Sequence, residues 1–278
     1  MTDLEIKNYP SVGQSFGIAG IMILGTILFA PLNLILNKFI DAEASLFIYY
    51  LVAVGITFWI VYAIRKRKTD NTMFNFKIEN KRIIPFVIIA AIALLFGIIS
   101  PISDLIPMPE IIKKAFANLA TQSGFFSFLY MVIAAPIFEE LIFRGIMLDG
   151  LLKRYSPIKA ILISSFLFGL VHLNPWQFIA GLFLGMFMGW VYYKTKSLSF
   201  AIIIHASVNL TGFLTRYFSD FDPTDMNKTL AESYGGILNL VLVTVGCVSI
   251  LAISIYYLNR EFQRNEKVVS DLTQEAEL

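Results

Sequence analysis

Five ionisable side chains sit inside otherwise apolar stretches of this sequence: Glu139, Glu140 and Arg144 in "IFEELIFRG", His172 in "FGLVH" and His205 in "HASVN". They include both histidines of the chain. Burying a charge in apolar surroundings is costly, so such groups are kept where they pair or do chemistry. Helical spacing divides their roles. Glu140 and Arg144 stand four residues apart and share a face, whereas Glu139 is turned by about 100° from Glu140. One glutamate is thus held by the arginine and the other is free for chemistry. His205 and Asn209 are also spaced i,i+4, as are Phe168 and His172, so the aromatic ring can wall off the second imidazole.

A carboxylate, two imidazoles and a carboxamide can activate water and stabilise an oxyanion, the minimum for hydrolysing a peptide bond. A serine-type site is not credible. Ser164, Ser165 and Ser207 lie in apolar segments, but no aspartate accompanies them. The His-Glu-x-x-His helix motif is absent. Glu139, His172 and His205 are nonetheless an admissible zinc set with an open fourth position. Asn174 and Trp176 follow His172 in "NPW", where they suit a turn and an interfacial anchor better than chemistry. Cys247, the single cysteine, excludes an intrachain disulfide and has no nearby base that would activate a thiol.

Such groups need a scaffold that holds them away from water. Of the 278 residues, 57% are hydrophobic and 15% charged, against about a quarter charged in soluble domains. Mean hydropathy is +0.71. The chain therefore reads as an all-α polytopic membrane protein, one integral membrane domain over 1–278. Apolar runs long enough to span a bilayer fall near 16–36, 44–64, 83–106, 125–148, 198–214 and 236–258. A shorter pair between Ala160 and Tyr193 makes eight helices, with a four-helix core over about 125–213. The first run has no basic residues of the kind that precede a signal sequence's apolar core, and no convincing cleavage site, so it is expected to be retained. The stretch "ISPISDLIPMPEIIKKAFANLA" suggests an interfacial helix. The glycines of "GIAG", "GLFLG" and "GMFMG" suggest small-residue packing faces. A net charge of +2 gives no reason to expect a nucleic-acid partner.

Loop charges suggest an orientation. With the N-terminus cytoplasmic, sixteen of the 22 Lys and Arg residues fall inside, from Lys7 through the "RKRK" of residues 65–68 to Lys267. Outside fall Lys38, Lys113, Lys114, Arg216 and Lys228, with Asp220, Asp222 and Asp225 before the last span. Both termini are expected in the cytoplasm. At about 1.5 Å per residue, Glu139 lies roughly 21 Å from Lys153, His172 roughly 20 Å from Lys159, and His205 roughly 14 Å from Lys196. Similar depth on three helices suggests one buried site, expected to open toward the cytoplasm.

"EELIFRG" resembles the Glu-Glu-x-x-x-Arg motif of the CAAX-protease and bacteriocin-processing (Abi) family of intramembrane proteases. "FGLVH" and "HASVN" resemble its second and third motifs, in the same order, across about 125–213. The resemblance implies that Glu139 and His172 orient and deprotonate water, that His205 and Asn209 stabilise the oxyanion, and that Glu140 and Arg144 support them. It leaves metal-free and zinc-dependent hydrolysis both open. It implies a peptide or membrane-protein substrate, and a compact chain without targeting extensions resembles the bacterial members linked to bacteriocin maturation, self-immunity and peptide signalling. A non-proteolytic immunity or regulatory protein of the same fold is the principal rival. A proton-coupled transporter is disfavoured, because the polar groups cluster in one four-helix segment instead of paired half-repeats.

Overall fold

The computed structural model describes residues 8–70, 72–218 and 227–276, and, within these, not the side chains of 120 and 265–276. Lys7, Asp220, Asp222 and Asp225, used above to infer orientation, lie outside the described residues, as does the side chain of Lys267. The described residues form helices joined by short connections, with no strand among them. The helices are α1 (Val12–Leu36), α2 (Ala42–Lys68), α3 (Lys81–Asp104), α4 (Glu110–Ala120), α5 (Phe125–Leu152), α6 (Pro157–Leu170), α7 (Pro175–Thr195), α8 (Leu198–Phe218) and α9 (Ile237–Ala276).

Six of these, α1, α2, α3, α5, α8 and α9 (through Arg264), are long and apolar enough to cross a membrane, and they match the six long runs of the sequence. The pair expected between Ala160 and Tyr193 is α6 and α7. At 14 residues α6 is shorter than a span. Large apolar side chains on α1 and α9, such as Leu28 and Leu238, are exposed in a way that suits lipid and not water. The protein is an integral membrane protein.

The bundle has two distinct ends. One gathers the C-termini of α2, α5 and α7 with the start of α8. There Arg65 pairs with Asp149 at 3.2 Å, Asn75 donates to the Lys196 carbonyl at 3.0 Å, and the Leu198 N–H donates to the Asn75 carbonyl at 2.8 Å. This end carries the basic loops. At the other end the Gly124 N–H donates to Glu43 at 2.9 Å and Arg216 donates to the Leu119 carbonyl at 3.3 Å. The amphipathic α4 lies there, as the sequence suggested.

Small residues set how closely α6 and α7 approach. A Cβ on Gly181 would lie 2.7 Å from Gly169 Cα, and one on Gly185 would lie 3.0 Å from Ser165 Cβ. These glycines are a packing face, as "GLFLG" predicts. Those of "GIAG" are not, because nothing lies within 4 Å of a Cβ on Gly17 or Gly20. The two glycines face open space on α1, while Ile18 and Ala19 between them are buried.

Two wide π turns, Leu129–Ala134 and Leu141–Leu148, flank the paired glutamates in α5. A third, Leu95–Ile99, interrupts α3. The turns in α3 and the first in α5 end just before Pro101 and Pro136. A proline ring crowds the carbonyl four residues back and offers no N–H, and widening the turn relieves both problems.

Gly181→Ala should therefore push two backbones apart and destabilise the protein by roughly 1–3 kcal/mol, whereas Gly20→Ala should be neutral. Thermal unfolding of the two variants in detergent checks this; equal midpoints would contradict the packing.

Candidate active site

The site is assembled on α5, α8 and the end of α6, with one contribution from α2. On α5, Glu140 and Arg144 are fully buried and joined at 2.9 Å, the pair that the i,i+4 spacing predicts. Glu140 has a second partner that spacing within one helix could not reveal. Its Oε1 also accepts from His205 Nδ1 at 2.9 Å, across from α8. Arg144 donates its other terminal nitrogen to the Gly185 carbonyl at 3.2 Å and packs over the Phe168 ring at 4.5 Å. The close α6–α7 approach thus brings both the carbonyl and the ring to the guanidinium.

The neighbouring glutamate is placed differently. Glu139 is 8% exposed, and its Oε1 accepts a hydrogen bond from Tyr50 Oη at 3.0 Å. Its Oε2 stands 4.0 Å from His205 Nε2, close enough to feel its charge and too far for a hydrogen bond. The first three spans offer no diagnostic residue in the sequence, yet Tyr50 on α2 reaches the site. The adjacent Tyr49 instead bonds the Thr26 carbonyl, and nothing in "IYYLV" says which tyrosine faces which way.

The histidines are held in defined orientations. His172 Nδ1 lies 2.8 Å from the Phe168 carbonyl, which can only accept, so Nδ1 carries the proton and Nε2 is left as the lone-pair nitrogen of the neutral ring. The Phe168 ring meets His172 and His205 edge-on, with centroids 5.4 and 5.6 Å away. It walls both imidazoles, where spacing predicted one. Asn209 donates to the Met131 carbonyl at 2.8 Å. In the widened register of the first π turn the N–H owed to that carbonyl would come from Pro136, which has none. The proline thereby frees a carbonyl that fixes the Asn209 carboxamide.

Glu139, His172, His205 and Asn209 all line one cavity of about 390 Å³. Glu140 and Arg144 lie behind its wall. Along α5 the lining runs from Ser127 to Glu139 on one helical face, and along α8 from His205 to Arg216. Below Glu139 the core is solid: Ile142, Phe143, Arg144, Ile146, Met147, Leu148 and Leu151 are all 0% exposed. The cavity's lining lies on the other side of Glu139, beside Phe116 and Leu119 of α4 and Gln122.

A zinc ion would need its ligands to converge at about 2.0–2.2 Å. Among the described residues no group of three or more His, Cys, Asp or Glu side chains is gathered closely enough to hold one. His172 and His205 have each committed Nδ1 to a partner, which leaves Glu139 and the two Nε2 atoms as the donors that a metal would have to take.

Residues 121–211 match the family model described as "Type II CAAX prenyl endopeptidase Rce1-like". The chain is 29% identical to CAAX prenyl protease 2 of Methanococcus maripaludis over 180 residues, covering 56% of this chain and 65% of the relative. It is 38% identical over 81 residues to the protein YxdF of Lactococcus lactis, covering 29% of this chain and 44% of that one. With YdiL, a candidate membrane peptidase of Bacillus subtilis, it shares 34% identity over 77 residues, covering 28% and 32%. The matches thus span from about a third to just under two thirds of these relatives' lengths. No solved structure matches the chain.

Glu140→Gln would leave Arg144 buried without its counter-charge, a loss of about 3–5 kcal/mol. Replacing both members by apolar residues, Glu140→Leu with Arg144→Met, should recover part of it. Folded yield and unfolding temperature in detergent test this, and a single substitution as stable as wild type would contradict it.

Proposed function

We propose that the chain is a membrane endopeptidase of the CAAX-protease and bacteriocin-processing family. It hydrolyses a peptide bond in a membrane-associated protein or peptide. The observation that carries this reading is that Glu139, His172, His205 and Asn209, drawn from three helix segments, line one cavity inside the membrane-spanning bundle. A binding protein has no need for that combination of a base, two imidazoles and a carboxamide.

In the proposed reaction Glu139 and the Nε2 lone pair of His172 hold a water molecule. Glu139 takes its proton as the hydroxide oxygen attacks the carbonyl carbon of the substrate. The carbonyl oxygen becomes an oxyanion, which accepts hydrogen bonds from His205 Nε2–H and from the second N–H of Asn209. The C–N bond then breaks as the proton passes from Glu139 to the leaving amine. For His205 to donate from Nε2 while its Nδ1–H is given to Glu140, the ring must carry both protons. Two carboxylates, Glu139 and Glu140, then face two cations, Arg144 and His205. Tyr50, donating to Glu139 Oε1, directs the basic lone pairs of the other oxygen toward the cavity. Glu140 and Arg144 act by holding His205, without touching the substrate.

Glu139→Gln should abolish turnover and leave the unfolding temperature unchanged; cleavage at the wild-type rate would refute the assignment. Asn209→Ala should cost roughly 10²–10³ in turnover, as loss of an oxyanion donor does elsewhere.

Hydrolysis by these side chains alone should survive exhaustive chelation of the purified protein. Activity that is lost on chelation and returns with stoichiometric zinc would establish Glu139, His172 and His205 as metal ligands instead.

A further inference from the structure

We infer that Tyr130 and Gln122 form a main-chain recognition subsite of the same cavity, which takes a peptide in extended form and rejects a helix. This rests on the protease reading and adds to it the conformation of the substrate and two residues that select it.

Two polar groups in the cavity wall are used neither by the reaction nor by the fold. Tyr130 lies on α5, with its ring 4.7 Å from that of Tyr50, the residue that donates to Glu139. Among the described residues nothing accepts a hydrogen bond from its hydroxyl. A tyrosine hydroxyl withdrawn from bulk water ordinarily has an acceptor. Gln122, just before α5, has the complementary deficit. Its Oε1 is buried and meets no donor. Of the four buried side-chain polar atoms in that condition among the described residues, it alone belongs to a residue that lines the cavity. A half-turn of the amide exchanges Oε1 with Nε2, a group of like size, and presents the acceptor to the cavity.

One spare donor and one spare acceptor define the chemistry of the ligand. A residue of an extended chain offers its C=O and its N–H to the same side, the pair that a neighbouring strand would take. In a helix both groups are already engaged in the internal ladder. Size points the same way. One turn of helix with its side chains, 5.4 Å long and 10–12 Å across, fills roughly 420–610 Å³, whereas the whole cavity holds about 390 Å³. The space is also long and narrow. Ser127, Met131, Ala135 and Glu139 line it at every fourth residue of α5, a face roughly 18 Å in length. Tyr130 precedes Glu139 by nine residues, roughly 13 Å of helix or about four residues of extended chain. Its contact is therefore remote from the scissile bond. It holds substrate and transition state alike, so its loss belongs in KM and not in kcat.

The test reads binding apart from turnover. Two pools of dye-labelled ten-residue peptides carry the same randomised side chains; in one they alternate with valine and threonine, which favour extended backbone, and in the other with α-aminoisobutyrate, which enforces helix. Binding to the full-length Glu139→Gln chain in detergent is followed by fluorescence polarisation. The extended pool should bind roughly tenfold more tightly than the helical pool, as two additional hydrogen bonds allow. Adding Tyr130→Phe or Gln122→Leu should weaken the extended pool by roughly 3- to 10-fold, the loss expected of one neutral hydrogen bond, and leave the helical pool unmoved. Neither substitution should lower the unfolding temperature. With Glu139 intact, Tyr130→Phe should raise KM by the same factor and keep kcat. Equal affinity for the two pools, absence of binding included, overturns the inference, as does an extended-pool affinity indifferent to both substitutions. Cleavage of the peptides by the Glu139→Gln chain, seen as decay of polarisation, would instead refute the proposed catalysis and leave the affinities readable.

Discussion

The structure turns on one carboxylate oxygen. Glu140 Oε1 accepts from Arg144 and from His205 at 2.9 Å each, in a region from which water is excluded. In such surroundings neither a lone glutamate nor a lone guanidinium is tolerable, and their mutual attraction repays desolvation only when geometry and further hydrogen bonds are good. The remaining contacts supply that geometry. Gly185 lends a carbonyl, Phe168 an aromatic face, and the narrow α6–α7 contact brings both within reach. The pair is internal to α5, but its second hydrogen bond ties α5 to α8. The relative position of the two helices is thereby fixed at the level where Glu139 and His205 meet the cavity.

The same helix shows how a local irregularity becomes a long-range contact. Pro136 cannot donate to the ladder, so the preceding turn widens and a carbonyl is left over. Asn209 takes it. In the second widened turn Arg65 donates to the Gly145 carbonyl at 2.7 Å and Ser164 to the Phe143 carbonyl at 3.1 Å. Carbonyls of both turns thus anchor side chains of α2, α6 and α8.

Much of this was legible in the sequence where the signal is local. The six long spans follow from hydropathy, and the Glu140–Arg144 pair follows from its spacing. What lay beyond reach was contact between helices. Tyr50 and Tyr49 are neighbours of the same type, and only the packing of α2 against α5 selects one of them for Glu139. The glycines of "GIAG" and "GLFLG" look alike as strings, yet one set faces open space and the other a helix. Counting residues from the basic loops measures depth, and depth alone says nothing about which side of Glu139 is hollow. Two of the three widened turns had an available signal in Pro101 and Pro136, each inside a run otherwise suited to unbroken helix.

The solid layer below Glu139 bears on energy conservation across the bilayer. A polar shaft that ran through the whole protein would let ions and protons leak down their electrochemical gradients unless a gate kept one end shut. Here the hydrophilic path ends at Glu139, and a layer in which Ile142, Phe143, Ile146 and Met147 pack around the paired Arg144 begins. Such a blind pore can stand permanently open to one compartment and draw water from it without discharging the membrane, so the fold needs no alternating access to remain an insulator.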